Sequence, residues 1–398
     1  MFFTSSGSRI EQNPPGIWKF FSVTDPTMAR QKTNLLGLDF DAMTAFFAGL
    51  GERPFRATQL LKWIHQHGVF DFDAMTNLTK QLRAQLAEIA EIRLPEIIDH
   101  RISRDGSRKW LLRVDSENSV EMVFIPEDAR GTLCVSSQVG CPLGCPFCAT
   151  GKQGFRRNLE SAEIIGQLHL ARRLLVPPGI SETPAGIDSP HSSPDARFPR
   201  KITNVVLMGM GEPLLNVDNV ISATRLMLDD NAYGLARRRV TVSTAGVIPA
   251  LKKLREQCPV SLAVSLHAPS DALRDRLVPI NRKYPIAQLL DVCRQYVSHA
   301  PKDKITFEYV LLRHVNDQPD DARRLARLLQ GLPAKINLIP FNPFPSAPYR
   351  APSPNAVEAF RDILLAKGLM TIIRRTRGDD IAAACGQLAG IPSSAPRR

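Results

Sequence analysis

"CVSSQVGCPLGCPFCATGKQGF", Cys134 to Phe155, opens on the end of an apolar strand pattern and runs directly into three closely spaced thiols. The strand, "TLCVSSQ", is the first of seven; "TNVVLMG", "RVTVSTA", "VSLAVSL", "TFEYVLL", "KINLIP" and "MTIIRR" follow. Between them lie segments with apolar residues at helical spacing, among them "SAEIIGQLHLARRLL", "VIPALKKLREQ", "PIAQLLDVCRQYV" and "DDARRLARLLQ". Such alternation requires a parallel sheet with right-handed crossovers, and six or seven units suffice for a barrel or partial barrel. Functional loops in a barrel leave the C-terminal ends of the strands, so the thiol loop belongs to the catalytic face. The expected fold is therefore α/β, a partial (βα)6-type barrel over residues 131–380.

Upstream, residues 34–105 read as a small helical domain. Leu78, Leu82, Leu86 and Ile89 recur at helical spacing, and "ATQLLKWIHQHGVF" supplies a second apolar face. His65 and His67 within it are expected at the surface. Residues 106–130 read as a linking β-hairpin, "SRKWLLRV" and "SVEMVFIP" about the polar turn "DSEN". On its second strand Val120, Met122 and Phe124 share one side. Glu121 takes the other, expected half-exposed, and as a carboxylate between apolar neighbours it is a candidate acid–base group. Residues 1–33 read as an unpatterned extension, 177–199 as a Pro/Ser-rich surface insertion, and 381–398 as a C-terminal segment with a basic tail.

The composition is that of an ordinary globular protein, 43% hydrophobic and 23% charged. No apolar run reaches the roughly eighteen residues of a membrane span. The first residues do not read as a secretory signal, so a cytoplasmic location is expected. There, clustered cysteines indicate metal binding or catalysis rather than structural disulfides. The 51 Lys and Arg exceed the 39 Asp and Glu by twelve, a balance suited to a polyanionic partner such as nucleic acid. Basic clusters lie at Arg156–Arg157, Arg237–Arg239 and Arg374–Arg377, all near motif loops.

Cys141, Cys145 and Cys148 are spaced C-x3-C-x2-C. A structural zinc is normally closed by four ligands. The nearest fourth thiol, Cys134, sits inside a strand, and His169 on a helix. Three thiols suit a four-iron cluster with one iron left free for a small molecule; on the residues alone, zinc or plain buried thiols stay open. Gly211 and Glu212, in "GMGEPLLN", follow the second strand. Ser243, then Ser265, Leu266 and His267 of "SLHAP", then Asn342, mark the ends of later strands. Together they form a ring of polar groups around one mouth, which reads as a ligand site. Cys134, Cys258, Cys293 and Cys385 read on their own as buried apolar residues.

This constellation resembles the radical S-adenosylmethionine (SAM) superfamily. More narrowly, "VEMVFIPED", the thiol stretch, "VVLMGMGEPLLN", "VSLHAP", "VPINRKYPI", "NLIPFNPFPSAPY" and "RGDDIAAACGQLAG" are similar to the bacterial dual-specificity ribosomal and transfer RNA adenine-C2 methyltransferases, from about residue 34 to about 391. The resemblance implies one 4Fe–4S cluster on Cys141, Cys145 and Cys148. It implies two SAM per turnover, one as methyl donor and one as radical source, held by Gly211, Glu212, Ser243, Ser265, Leu266, His267 and Asn342. It implies that Cys385 carries the methyl group, that Glu121 accepts the adenine C2 proton, and that Cys134 resolves the covalent RNA intermediate by a transient disulfide with Cys385. The implied substrates are an adenine of 23S rRNA in the peptidyl-transferase centre and the adenine 3′ of the anticodon in some tRNAs, each flipped from its stack. The helical domain would help bind RNA, a flavodoxin-type protein would supply electrons, and the chain would be a monomer. Two other readings are an adenine-C8 rRNA methyltransferase of the antibiotic-resistance type and a non-catalytic RNA-binding protein with a structural metal. The latter leaves the SAM motifs unexplained.

Overall fold

The computed structural model describes residues 32–175, 201–300, 304–345 and 347–390. Nearly all of the expected N-terminal extension, the whole 177–199 insertion and the tail from 391 lie outside the described residues.

The helical domain is closed by a short parallel pair, β1 (Thr33–Asn34) on β2 (Ala90–Glu91). Helix α1 (Phe40–Gly49) starts at Asp39, whose carboxylate accepts the Ala42 N–H. Helix α2 (Phe55–Leu61) runs into a π-helical turn, Lys62–Gln66. Helix α3 (Lys80–Ile89) is capped by the Thr79 hydroxyl, and its Leu82 and Leu86 are buried as the periodicity requires. His67 is exposed, but His65 is buried, against expectation. It lies in the π-helical turn, where i→i+5 closure departs from the 3.6-residue period that would place the side chain at the surface.

The helical reading fails again past residue 95. Glu96–Ile102 is a strand, β3, paired antiparallel with β4 (Arg108–Arg113), which pairs with β5 (Ser119–Glu127). The hairpin is thus the inner part of a three-stranded meander. Its turn is set by Asp115, whose Oδ1 accepts the N–H groups of Glu117 and Asn118 at 2.9 and 2.8 Å. Both faces of β5 are covered, so Glu121 is 4% exposed rather than half-exposed.

Strand β6 (Arg130–Cys134) pairs antiparallel with β5 and parallel with β9 (Asn204–Leu207), so meander and barrel share one ten-stranded sheet. A separate ribbon, β7 (Gln138–Gly140) on β8 (Phe155–Asn158), brackets the thiol loop and the one-turn α4 (Ala149–Lys152). Strands β10 (Val240–Thr244), β11 (Ser261–Ser265), β12 (Ile305–Leu311), β13 (Ala334–Pro340) and β14 (Met370–Ile373) complete seven parallel strands. Six crossovers join them, carrying α5 (Ser161–Leu175), α6 (Val217–Leu228), α7 (Ile248–Gln257), α9 (Ile286–Val297), α10 (Pro319–Leu328) and α11 (Pro354–Ala366). The short α8 (Asp271–Leu277) follows β11 on the catalytic face. The order β14-β13-β12-β11-β10-β9-β6-β5-β4-β3 is open, as a partial (βα)6 barrel requires. No helix among the described residues is long and apolar enough to cross a membrane.

Candidate active site at the strand ends

The thiol loop is pinned at both ends. Cys141 N–H donates to the Gly154 carbonyl at 2.9 Å, and Cys148 N–H to the Cys145 carbonyl at 3.1 Å. No cysteine forms a disulfide. Burial pushes Cys141 up to about 12 and raises Cys145 and Cys148 as well; Cys145 is raised further by both neighbouring thiols. A grouped, desolvated, unbridged set of soft donors becomes thiolate only against a strongly cationic centre. It fits an iron–sulfur centre with three protein ligands. Among the described residues no three His, Cys, Asp or Glu side chains converge on a single ion.

A cavity of about 170 Å³ opens beside this loop. Its lining includes Cys148, Gly211, Glu212, Ser243, Ser265 and His267, with Asn342 and Cys385. Gly211 has φ 98°, and a Cβ there would lie 2.8 Å from the Gln138 backbone nitrogen, so only glycine passes. Its neighbour Glu212 is fixed by backbone: Oε1 accepts the Leu214 N–H at 3.1 Å and Oε2 the Ala245 N–H at 2.8 Å. Burial raises the Glu212 pKa, and these hydrogen bonds oppose the rise. His267 holds φ 59°, left-handed for a residue with a Cβ. Its Nδ1 accepts the Val310 N–H at 3.0 Å, and burial lowers its pKa to about 3, so the ring is neutral with its proton on Nε2. Leu266 is fully buried behind the wall, and its carbonyl accepts Arg274 Nε. Gly211, Glu212 and the Ser243, Ser265 and His267 set, with the thiol loop beside them, present the polar ring and enclosed volume that a SAM-sized ligand needs.

Cys385 lines the same cavity. Its carbonyl accepts Asn342 Nδ2 at 3.2 Å, and the next carbonyl, of Gly386, accepts the Ala149 N–H at 2.7 Å. Cys148 of the thiol loop and Cys134 at the end of β6 are both within electrostatic reach of Cys385. Burial, then the Cys385 charge, pushes Cys134 up to about 12. The Arg374 guanidinium faces both thiols, and its pKa is raised chiefly by Cys385. Glu121 is not on this wall. Its Oε1 is 2.8 Å from Lys109 Nζ, and Oε2 accepts the N–H groups of Ala389 and Gly390 at 2.7 and 3.2 Å. It thus holds the segment that carries Cys385.

Sequence reasoning missed two buried charged residues here. Arg274, fully buried on α8, and Glu308, inside β12, carry no motif. A charge within an otherwise apolar strand, "TFEYVLL", was the only signal for the second. One expectation is corrected outright. Arg237–Arg239 immediately precede β10 and so lie at the N-terminal end of the strands, opposite the cavity. Arg157 is tied to Glu163 and Asp115, whereas Arg156 is exposed beside the thiol loop.

Comparison with known proteins bears on the fold and the family. A model of the ribosomal RNA large subunit methyltransferase N-terminal domain matches residues 33–92, and the radical SAM superfamily model matches residues 195–326. The crystal structure of a radical SAM methyltransferase from Sphaerobacter thermophilus is 39% identical and superposes with a TM-score of 0.78, covering 90% of this chain and all of that one. Fold and site therefore define a radical SAM enzyme. The dual-specificity RNA methyltransferase RlmN of Marinobacter nauticus is 56% identical over 373 residues, 94% of this chain and 96% of that protein. The chain belongs to this family of dual-specificity RNA methyltransferases, which use a 4Fe–4S cluster and SAM. Neither the adenine-C8 nor the non-catalytic reading is favoured by these matches.

Proposed function

We propose that the enzyme methylates carbon 2 of one adenine in 23S rRNA and of the adenine 3′ of the anticodon in some tRNAs. We further propose that it works in the cytoplasm, as a monomer, with a flavodoxin-type electron donor. The observation that carries the reading is the grouping of sulfurs at one cavity: Cys385 and Cys148 both line it, and Cys134 and Arg374 lie within electrostatic reach of Cys385. Cys141, Cys145 and Cys148 would hold the cluster. Gly211, Glu212, Ser243, Ser265, Leu266, His267 and Asn342 would frame SAM. When bound, cluster and SAM supply one-electron cleavage of a sulfonium carbon–sulfur bond, and through it hydrogen-atom abstraction from an unactivated methyl group.

Adenine carbon 2 is electrophilic, so a methyl group reaches it from a carrier. The Cys385 sulfur is that carrier; its wall position keeps the methyl inside the cavity. Having lost a hydrogen atom, the carrier carbon bonds to carbon 2; that carbon then gives its proton to Glu121, and the one unpaired electron left over would pass to the one-electron couple that a bound cluster supplies. Lys109 holds Oε1 of Glu121, and Oε2, which accepts the Ala389 and Gly390 N–H groups here, is the oxygen that would take the proton. Cys134 then attacks the Cys385 sulfur. The sulfur–carbon bond breaks, its electron pair passes to the RNA-borne carbon, which takes up a proton, and a Cys134–Cys385 disulfide remains. The same proposal divides the chain into an RNA-binding accessory unit from residue 34, a linker carrying Glu121, the barrel over 131–380 and the carrier segment from 381; β3 moves from the first unit to the second.

The test is Cys134→Ala. Addition to RNA survives and release fails, so a covalent protein–RNA species accumulates on a denaturing gel. Free methylated RNA at wild-type yield from this variant would overturn the resolving role.

A further inference from the structure

We infer that Glu308 is a ligand-binding residue of the cavity, and that it accepts hydrogen bonds from the vicinal diol of the adenosyl ribose. The inference rests on the reading that this cavity holds SAM.

Glu308 is 3% exposed, inside β12 and on the cavity wall. Its register partners are Ser265 on β11 and Asn337 on β13. Asn337 Nδ2 donates to Oε1 at 2.8 Å and so fixes the plane of the carboxylate. Oε2 is buried and accepts no hydrogen bond among the described residues. Arg374 Nη1 stands 3.8 Å from it, too far for a hydrogen bond but close enough to balance the charge. Buried carboxylate oxygens are ordinarily paired, and one left open on a cavity wall, with its plane held and its charge balanced, is built for a donor from outside the chain.

SAM offers three donors: the ammonium, the ribose diol and the exocyclic amine of adenine. The ammonium belongs with Glu212, beyond β10 and β11 in the sheet order. The adenine face needs apolar walls, which Val310, Ile339 and Phe341 supply nearer the mouth. The ribose joins these two ends in the ligand, as Glu308 lies between Glu212 and Phe341 around the wall. Vicinal hydroxyls are spaced so that both can donate to one carboxylate. The target adenine enters past Cys385 at the strand ends, whereas Glu308 lies three residues inside the end of β12.

The test is calorimetric titration of cluster-loaded protein, under anaerobic conditions, with S-adenosylhomocysteine and with its 2′,3′-dideoxy counterpart. Wild type should bind the first at least about tenfold more tightly, the worth of a charge-assisted hydrogen bond. Glu308→Gln should lose most of that discrimination while keeping the cluster absorbance and melting temperature of wild type. Glu308→Asp, which keeps the charge, should retain part of it. Full discrimination in Glu308→Gln overturns the assignment and leaves the cavity reading intact. Failure of wild type to bind either nucleoside overturns the cavity reading, and this inference with it.

Discussion

Arg274 ties two strand ends together without touching the cavity. Its Nε donates to the Leu266 carbonyl at 3.0 Å, and Nη2 donates to the carbonyls of Ala245 and Ser265 at 2.6 and 3.0 Å. Nη1 donates to Asn281 Oδ1 at 2.9 Å, and Asn281 in turn donates to Asp271 and Asp275. Burial lowers the Arg274 pKa to about 10, and Cys145 and nearby aspartates oppose the shift, so the group stays charged at neutral pH. Arg274→Met leaves these carbonyls unpaired. It should cost about 3 kcal/mol of stability, read as a lowered denaturant midpoint, and weaken S-adenosylhomocysteine binding through the displaced Ser265. The residue was not legible because "DALRDRL" reads as a surface helix; what buries it is the crossover geometry. The placement of Cys141, Cys145, Cys148, Gly211 and Glu212 in loops at the strand ends was legible, because local spacing after a strand marks it; the roles given to them remain part of the proposal. The roles assigned to Cys134 and Cys385 came from resemblance alone, since an isolated buried cysteine carries no signature.

Among the elements, the joint between helical domain and barrel is where period failed and burial decided. His65 in the π-helical turn has Nδ1 3.2 Å from the Tyr233 hydroxyl, which lies 3.4 Å from Nδ1 of His169 on α5. Burial lowers His65 to about 3 and His169 to about 4; His169 and Arg172 add to the first shift, Arg173 and Arg172 to the second. Both rings are therefore neutral in the folded chain, while in the unfolded chain they titrate near 6.5. Below that value the unfolded state binds more protons, so stability present above pH 6.5 is lost as pH falls toward 4. The wild-type melting temperature should fall between pH 7 and 5 by more than that of the His65→Gln/His169→Gln double variant. Parallel slopes would contradict the account. The parallel strands were legible from their apolar runs and the helices between them from their period. β3 was not, because "EIIDHRI" alternates in and out as a one-sided edge strand does and sits next to a helical stretch.

At the scale of the molecule, the C-terminal segment binds meander, thiol loop and barrel into one face. Ser103 donates to Asp380, Lys109 to the Ala382 carbonyl, Ser119 to the Gly390 carbonyl and Thr150 to the Leu388 carbonyl. A polyanionic substrate must meet this face, not the opposite end where Arg237–Arg239 lie. Replacing Arg156 and Arg375, both exposed, with Gln should lower the slope of log affinity against log salt by about 0.7 to 0.9 for each phosphate no longer neutralised. The same changes at Arg237–Arg239 should leave the slope unchanged. Composition predicted the polyanion, but only the strand polarity told which arginines face it.

The account as a whole depends on a methyl group reaching adenine carbon 2 by way of Cys385. Nucleoside mass spectrometry of 23S rRNA fragment, treated anaerobically with reconstituted enzyme, SAM and a reductant, tests this most directly. The account predicts 2-methyladenosine with wild type and none with Cys385→Ala; 8-methyladenosine, or 2-methyladenosine that survives loss of Cys385, would contradict it.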